Sequence, residues 1–326
     1  MSSSSPNITA SPIESSLVQA NTHPYKGIFL LCLGVFLFSL QDLVIKKVSG
    51  NYPLTQVLFI RSLVSFPILL MLVHRETGIQ SILQRKISPF AKRSIILFLS
   101  YLSYYMAFPA LPLADAVALY FTVPLFVTAI AVPWLHEKAH PMLWWAVVLG
   151  FVGVVIMLKP TSGIFEPAAF LSLFSALTYA ISMIMVRRMG NTETASMISF
   201  YQNIFFFLGA TFFAVLFYCI GFQDVQHPSL KFLVRPWISI PLQDLLWIAS
   251  CGVIASGGTM TLTAAYHIGP ASKVGAFEYS GVLWAPMWGF IFFHEIPAFT
   301  TIMGAILIVI AGLMVLKPSV NNPSHP

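Results

Sequence analysis

The sequence predicts an all-α polytopic membrane protein, with ten transmembrane helices arranged as two inverted five-helix repeats. Three observations predict it. First, of 326 residues 57% are hydrophobic and only 9% charged, with a mean hydropathy of +0.83. Soluble domains carry roughly 25% charged residues, and a soluble fold of this length has too little interior to hide so much apolar surface. Second, apolar runs long enough to cross a bilayer recur from Gly27 to Leu316. They are continuously apolar, which excludes an outer-membrane barrel, whose segments of about ten residues alternate. Third, short motifs recur at one displacement. Trp134-Leu135-His136-Glu137 closes the fourth run and Phe292-Phe293-His294-Glu295 the ninth, while Lys159-Pro160 follows the fifth and Lys317-Pro318 the tenth, each 158 positions on.

Along the chain, residues 1–25 are rich in Ser, Pro and Asn and read as a disordered cytoplasmic tail. They lack the basic start of a cleaved signal peptide. Cutting at charges, Pro and Gly then gives spans at roughly 27–48, 53–73, 94–111, 114–134 and 141–158, followed by 167–187, 195–220, 243–266, 270–293 and 299–316. Most are long enough to cross about 30 Å of hydrocarbon at ~1.5 Å per residue. The first repeat is expected over 26–160 and the second over 161–318, with a short tail at 319–326. The first and sixth spans both end in paired bases, Lys46-Lys47 and Arg187-Arg188. An odd number of spans per repeat turns the second copy upside down, an architecture of secondary transporters that bind substrate between the halves. Lys and Arg favour the side bearing both termini by ten to five, so both termini are expected in the cytoplasm and the protein in the inner or plasma membrane.

The net charge of +6 does not point to nucleic acid, because the bases cluster at the ends of apolar runs. Cys32, Cys219 and Cys251 have no metal-ligand spacing and read as buried small hydrophobes. His136-Glu137-Lys138-Ala139-His140 spells the zinc-protease pattern, yet it occupies a short turn before Pro141, and its counterpart His294-Glu295-Ile296-Pro297-Ala298 lacks the second histidine. Zinc catalysis needs both histidines on one helical turn. No metal, cofactor or enzymatic chemistry is therefore expected.

Charges inside a span are expensive and need a partner or a wet cavity. Asp42 lies about six residues before the end of the first span and Arg61 about eight into the second, so both lie roughly 9–12 Å below the same side at ~1.5 Å per residue. They can pair. Either that pair locks the two helices, or Arg61 walls a cavity and recognises a carboxylate or phosphate with its planar fork. Glu278 falls near mid-membrane in the ninth span, beside Tyr279 and one to two turns after Lys273. It is the candidate for proton or cation coupling, since a desolvated carboxyl can exchange a proton in the physiological range. The alternative is a carboxyl paired to Lys273 or held by hydroxyls. Gln41, Gln56, Tyr101, Tyr105, Asp115, Tyr120, Tyr179, Gln202, Asn203, Tyr266 and Trp284 are the other polar residues in spans. Singly, each reads as an interfacial anchor or an inter-helix hydrogen bond. Together, aromatic rings with few charges suit an amphipathic organic solute better than an inorganic ion. Gly150, Gly153, Gly304 and Gly312 mark close helix packing, within one chain or across a dimer. Ser256-Gly257-Gly258, Pro124 and Pro286 are candidate hinges.

The sequence resembles the drug/metabolite transporter superfamily, specifically its EamA type. The resemblance rests on Leu111-Pro112-Leu113-Ala114-Asp115-Ala116-Val117-Ala118-Leu119 leading to Pro124, on Glu137-Lys138, and on Gly150 through Pro160. In the second half it rests on Ser175-Ala176-Leu177-Thr178-Tyr179-Ala180, Arg187-Arg188, Gly269-Pro270-Ala271-Ser272-Lys273 and Phe277-Glu278-Tyr279. It implies ten helices, inverted repeats, a central cavity and alternating access without ATP. Members move amino acids, S-adenosylmethionine, riboflavin, nucleotide sugars, metallophores and drugs. Gln41-Asp42 with Gln56 and Arg61 is similar to members grouped with S-adenosylmethionine and riboflavin carriers. Lys273 matches a basic residue common in the family pattern, and His136 and His294 stand where many members have glycine. The expected partners are a small-molecule metabolite and membrane lipids, not nucleic acid, with the chain a monomer or homodimer. Facilitated exchange without proton coupling is the alternative, and a non-transporting subunit or receptor on the same fold is another.

Overall fold

The computed structural model describes residues 24–123, 125–127, 129–130, 141–158, 166–189, 193–221, 225–268 and 279–316. Among them are the helices α1 (Pro24–Val48), α2 (Leu54–Glu76), α3 (Gln80–Gln84), α4 (Ile87–Ala107), α5 (Leu113–Tyr120) and α6 (Pro141–Leu158). The second half holds α7 (Ala168–Met189), α8 (Ala195–Ile220), α9 (Pro228–Val234), α10 (Leu242–Ile268), α11 (Gly281–Phe293) and α12 (Phe299–Leu316). No strand occurs among the described residues. Helices α1, α2, α7, α8 and α10 are long and apolar enough to cross a membrane. Large side chains such as Trp145, Phe212 and Phe290 are more than half exposed, as lipid-facing positions require.

Helix ends follow local chemistry. The Thr194 side chain accepts the Met197 N–H at 3.4 Å and opens α8, and Gly221 closes it in the left-handed conformation at φ 64°. Helix α4 starts at Ile87, earlier than the charge-based boundary at 94, and carries Lys92 and Arg93 inside it. Arg93 is no boundary because it is buried and donates to Gln202 on α8 at 3.3 Å. The fourth span breaks just before the candidate hinge Pro124: α5 stops at Tyr120, with turn conformation at Phe121 and Thr122 before helical backbone resumes at Val123. Pro124 explains the stop, since it has no N–H to give the Tyr120 carbonyl. Ser256-Gly257-Gly258 lies within uninterrupted α10. Of the cysteines, Cys251 is buried, whereas Cys219 is exposed near the end of α8, unlike the expectation for it.

The packing has a two-fold pattern. Helix α1 packs on α10, α4 on α7, α2 on α8, α5 on α11 and α6 on α12. Counted as spans, exchanging the halves turns the first–eighth contact into the sixth–third contact and leaves the other three unchanged. The α6–α12 crossing is tight within one chain: a Cβ on Gly153 would lie 2.8 Å from the Gly304 carbonyl oxygen. Small residues let the two backbones touch there.

Candidate functional site

A cavity of about 170 Å³ lies between the halves, walled by α1, α4 and α5 from the first and by α7, α10 and α11 from the second. Helix periodicity builds its main wall, because residues three and four apart share a face. Tyr101, Tyr104 and Tyr105 therefore form one stripe on α4, with Tyr101–Tyr105 and Tyr104–Tyr105 centroids 5.8 and 5.3 Å apart. The stripe continues from Tyr104 to Tyr120 on α5 at 4.7 Å, and from Tyr120 to Tyr179 on α7 at 5.6 Å. Phe121 carries it to Tyr279 at 5.7 Å. These are favourable separations for tilted and edge-on rings. The break after Tyr120 puts irregular backbone against the cavity, where non-helical backbone is tolerated at membrane depth.

Several polar groups on this wall are engaged with one another or with the backbone. Asp42 is the one acidic residue in the described lining, and its carboxylate accepts the Tyr104 O–H at 3.0 Å. Ser100 Oγ donates to the Ser175 carbonyl at 2.9 Å and fastens α4 to α7. Trp288 Nε1 donates to Ser39 Oγ at 3.1 Å and fastens α11 to α1.

Of the expected site residues, Asp42, Tyr101, Tyr105, Tyr120, Tyr179 and Tyr279 line this cavity. Gln41 lies behind it, fully buried and bonded to the Tyr105 hydroxyl. Trp284 is outside the lining, stacked on Trp288 at 6.4 Å. Lys273 and Glu278 lie outside the described residues, as do His136 through His140. Gln56 bonds the Ile238 backbone at 2.7 Å and Asp115 accepts from Thr301 at 2.7 Å. Asp42 and Arg61 do not form the ion pair that was one of their two readings: no contact within 4.0 Å joins them, although their charges act on each other through space. Arg61 lies instead over the rings of Tyr101, at 5.4 Å, and Phe206, at 5.8 Å. An aromatic face takes up a guanidinium where no carboxylate is within reach.

Tyr104, Ser39, Ser100, Ser175 and Trp288 belong to the site without having been singled out. Tyr104 is three residues after Tyr101, so the spacing that paired Tyr101 with Tyr105 was enough to find it.

At one end of the cavity wall, one turn along α1 from Asp42, a charge pair ties three helices together. Lys46 Nζ meets Glu295 Oε1 at 2.5 Å and also donates to the Leu111 carbonyl at 2.8 Å. Glu295 Oε2 accepts the Leu113 N–H at 2.9 Å, capping the start of α5. Both charges suit their helix ends, a cation at the C-terminus of α1 and an anion at the N-terminus of α5. His294 makes this possible. It turns through the left-handed region at φ 54°, and the Glu295 N–H closes α11 on the Gly289 carbonyl at 3.0 Å. At the same end, Tyr52 donates to Asp244, a bond that holds the phenol above its usual range. Trp237 donates to Thr55 at 2.9 Å, and Arg235 to the Gly50 carbonyl at 2.6 Å.

The model of the EamA-like transporter family matches residues 25–159 and again residues 166–317. The chain belongs to the EamA-like transporter family. Like others of that family it is an integral, multi-pass membrane protein and a transporter, not an enzyme. As an EamA-like transporter it is 27% identical to the pseudopaline exporter CntI of Pseudomonas aeruginosa, over 87% of this chain and 94% of that one. It is 26% identical to the mouse (Mus musculus) solute carrier family 35 member G1, over 88% of this chain and 77% of that one. It is 23% identical to the S-adenosylmethionine uptake transporter of Rickettsia prowazekii, over 89% and 92%. A protein of known crystal structure shares the fold at 13% identity, with a TM-score of 0.60 over 89% of this chain and 96% of that one.

Proposed function

We propose that this EamA-like protein is a secondary transporter in the cytoplasmic membrane that moves a small, amphipathic organic metabolite carrying an amine or other cationic group. One observation carries this reading. A ring-lined cavity between the two halves holds a single described acidic side chain, Asp42. Aromatic faces and one carboxylate favour a cation with an apolar body. The volume is below the ~300–1,000 Å³ of drug-sized pockets, which suits a small metabolite or the head of a larger one. The names of the relatives, an S-adenosylmethionine uptake transporter and a pseudopaline exporter, agree with an organic cargo and leave direction open.

The mechanism is alternating access between residues 26–160 and 161–318, inverted copies of one another, with both termini cytoplasmic. The Lys46–Glu295 clasp closes the side opposite the termini. Two related closures are what such a cycle requires, and the sequence carries the same charge types in matching positions. Glu137 stands 158 positions before Glu295, and Arg187-Arg188 end the sixth span as Lys46-Lys47 end the first. Glu278, next in the chain to the wall residue Tyr279, is the proposed coupling group, and Lys273 contributes charge to the same region. The test is counterflow in proteoliposomes with labelled amino acids, S-adenosylmethionine, riboflavin and cationic drugs. Exchange of a cationic solute that is lost in Asp42→Asn supports the reading. Exchange confined to anionic solutes overturns it.

A further inference from the structure

Behind Tyr101, on the face away from the aromatic cavity, α2, α8 and α10 enclose a second cavity of about 20 Å³. A water needs about 10–15 Å³, so there is room for one small ion or the head of one acid. Arg61, only 6% exposed, lines it, and its Nη1 is buried without a hydrogen-bond partner. Among the described residues no carboxylate lies within 4.0 Å of Arg61. Beside it, Gln202 uses its amide oxygen to accept from Arg93, itself 7% exposed and with its Nε unpartnered. The Gln202 NH₂ group and the Ser199 hydroxyl therefore remain as donors on the wall of the same cavity. By contrast, the Asn203 amide is spent on the Ser62 carbonyl at 2.9 Å, and the Ser65 hydroxyl on that of Gly252 at 2.8 Å.

The charge balance points one way. Among the described residues, Arg61 acts electrostatically on Asp42, Tyr101, Tyr105 and Cys251. Asp42 is the one acid among them, and it faces the other cavity, bonded to Tyr104. Arg61 thus faces a cavity whose wall also offers the Gln202 NH₂ group and the Ser199 hydroxyl, while Arg93 engages Gln202 from outside the lining. Cations buried in a membrane segment are paired or line a wet cavity, and an arginine fork matches a small oxyanion or halide.

We propose that this cavity is a binding site for a small monovalent anion, held by Arg61 with Gln202 and Ser199, while Arg93 fixes Gln202. The anion is either a free inorganic ion, typified by chloride, or the carboxylate of an organic acid. The site is separate from the aromatic cavity, and the inference stands whether or not that cavity carries the cargo.

The experiment is thermal unfolding of the full chain in detergent, titrated with sodium chloride or sodium formate against the bulky sulfonate MES at equal ionic strength. A ligand that binds only the folded state raises the midpoint in a saturable way. The expected result is saturable stabilisation by chloride, formate or both, with no response to MES. Chloride alone identifies an inorganic ion, and formate alone a carboxylate. Gln202→Leu should weaken the half-saturating concentration at least tenfold, and Arg61→Lys should weaken it less than Arg61→Gln. If Arg61→Gln does not fold, Gln202→Leu and Ser199→Ala carry the comparison. No saturable response from the wild type, or an equal response in Gln202→Leu, overturns the proposal.

Discussion

Glu295 and Lys46 are 249 residues apart in sequence and 2.5 Å apart in space. This one residue fixes three elements: its carboxylate accepts from Lys46 at the end of α1 and from the Leu113 N–H at the start of α5, and its backbone N–H closes α11 on the Gly289 carbonyl. The Lys46 side chain is 8% exposed and that of Glu295 24%. Removing either partner leaves a poorly solvated charge behind, whereas removing both does not. Lys46→Met and Glu295→Leu should therefore each destabilise the protein more than their combination would suggest, with a coupling energy of about 1–3 kcal/mol. Denaturation of the two single variants and the double variant measures it. Additive effects would show that the contact contributes nothing.

His294 should be replaceable with profit. A non-glycine residue in the left-handed region costs about 1–2 kcal/mol, and His294 occupies that region at φ 54°. His294→Gly is expected to recover about 0.5–1 kcal/mol at this helix end. A lower unfolding midpoint in that variant would mean that the imidazole makes a contact worth more than the strain.

Gly312 and Gly50 make a matched pair. A Cβ on Gly312 would fall 1.4 Å from the Tyr279 hydroxyl oxygen, while nothing lies within 4 Å of one on Gly50. Gly312→Ala must push Tyr279 out of the cavity wall, so it should cost about 1–3 kcal/mol as overpacking and lower solute binding as well. Gly50→Ala should do neither. Equal behaviour of the two variants, in unfolding midpoint and in binding, would contradict the packing.

Coupling is tested at Glu278. Glu278→Gln should abolish any acceleration of uptake by an imposed pH gradient while leaving gradient-free counterflow within about twofold, since it removes only the group proposed to exchange the proton. Proton-driven accumulation unchanged in that variant would assign coupling elsewhere.

Much of the aromatic site was legible because its signal is local. A polar side chain in an apolar run is conspicuous, and Asp42, Tyr101, Tyr105, Tyr120, Tyr179 and Tyr279 announced themselves in that way. Tyr104 was equally legible from its spacing. What the chain could not reveal is which distant groups meet. Lys46 read as a base in a loop tally and as one of a repeated pair of bases, and Glu295 as the mark of a repeat; their contact is a property of helices assembled in three dimensions. The same holds for Asp42 and Arg61. Equal depth on neighbouring helices allowed a pair, but depth does not fix azimuth, and Tyr101 supplies the surface that Arg61 covers. Arg93 misled for a related reason. A charge marks a helix boundary only when water is its sole partner, and here Gln202 is available.

The central claim is that Asp42 and the tyrosine wall bind the transported solute. The most direct test is the affinity of purified protein for a cationic solute found by counterflow, compared between wild type, Asp42→Asn and Tyr104→Phe. Losing the carboxylate's charge should weaken binding at least tenfold. Tyr104→Phe removes one hydrogen bond to that carboxylate and should have the smaller effect, about 1 kcal/mol or roughly fivefold. A neutral analogue of the same solute should bind Asp42→Asn and wild type alike. Unchanged affinity for the cation in Asp42→Asn, with counterflow intact, would contradict the account.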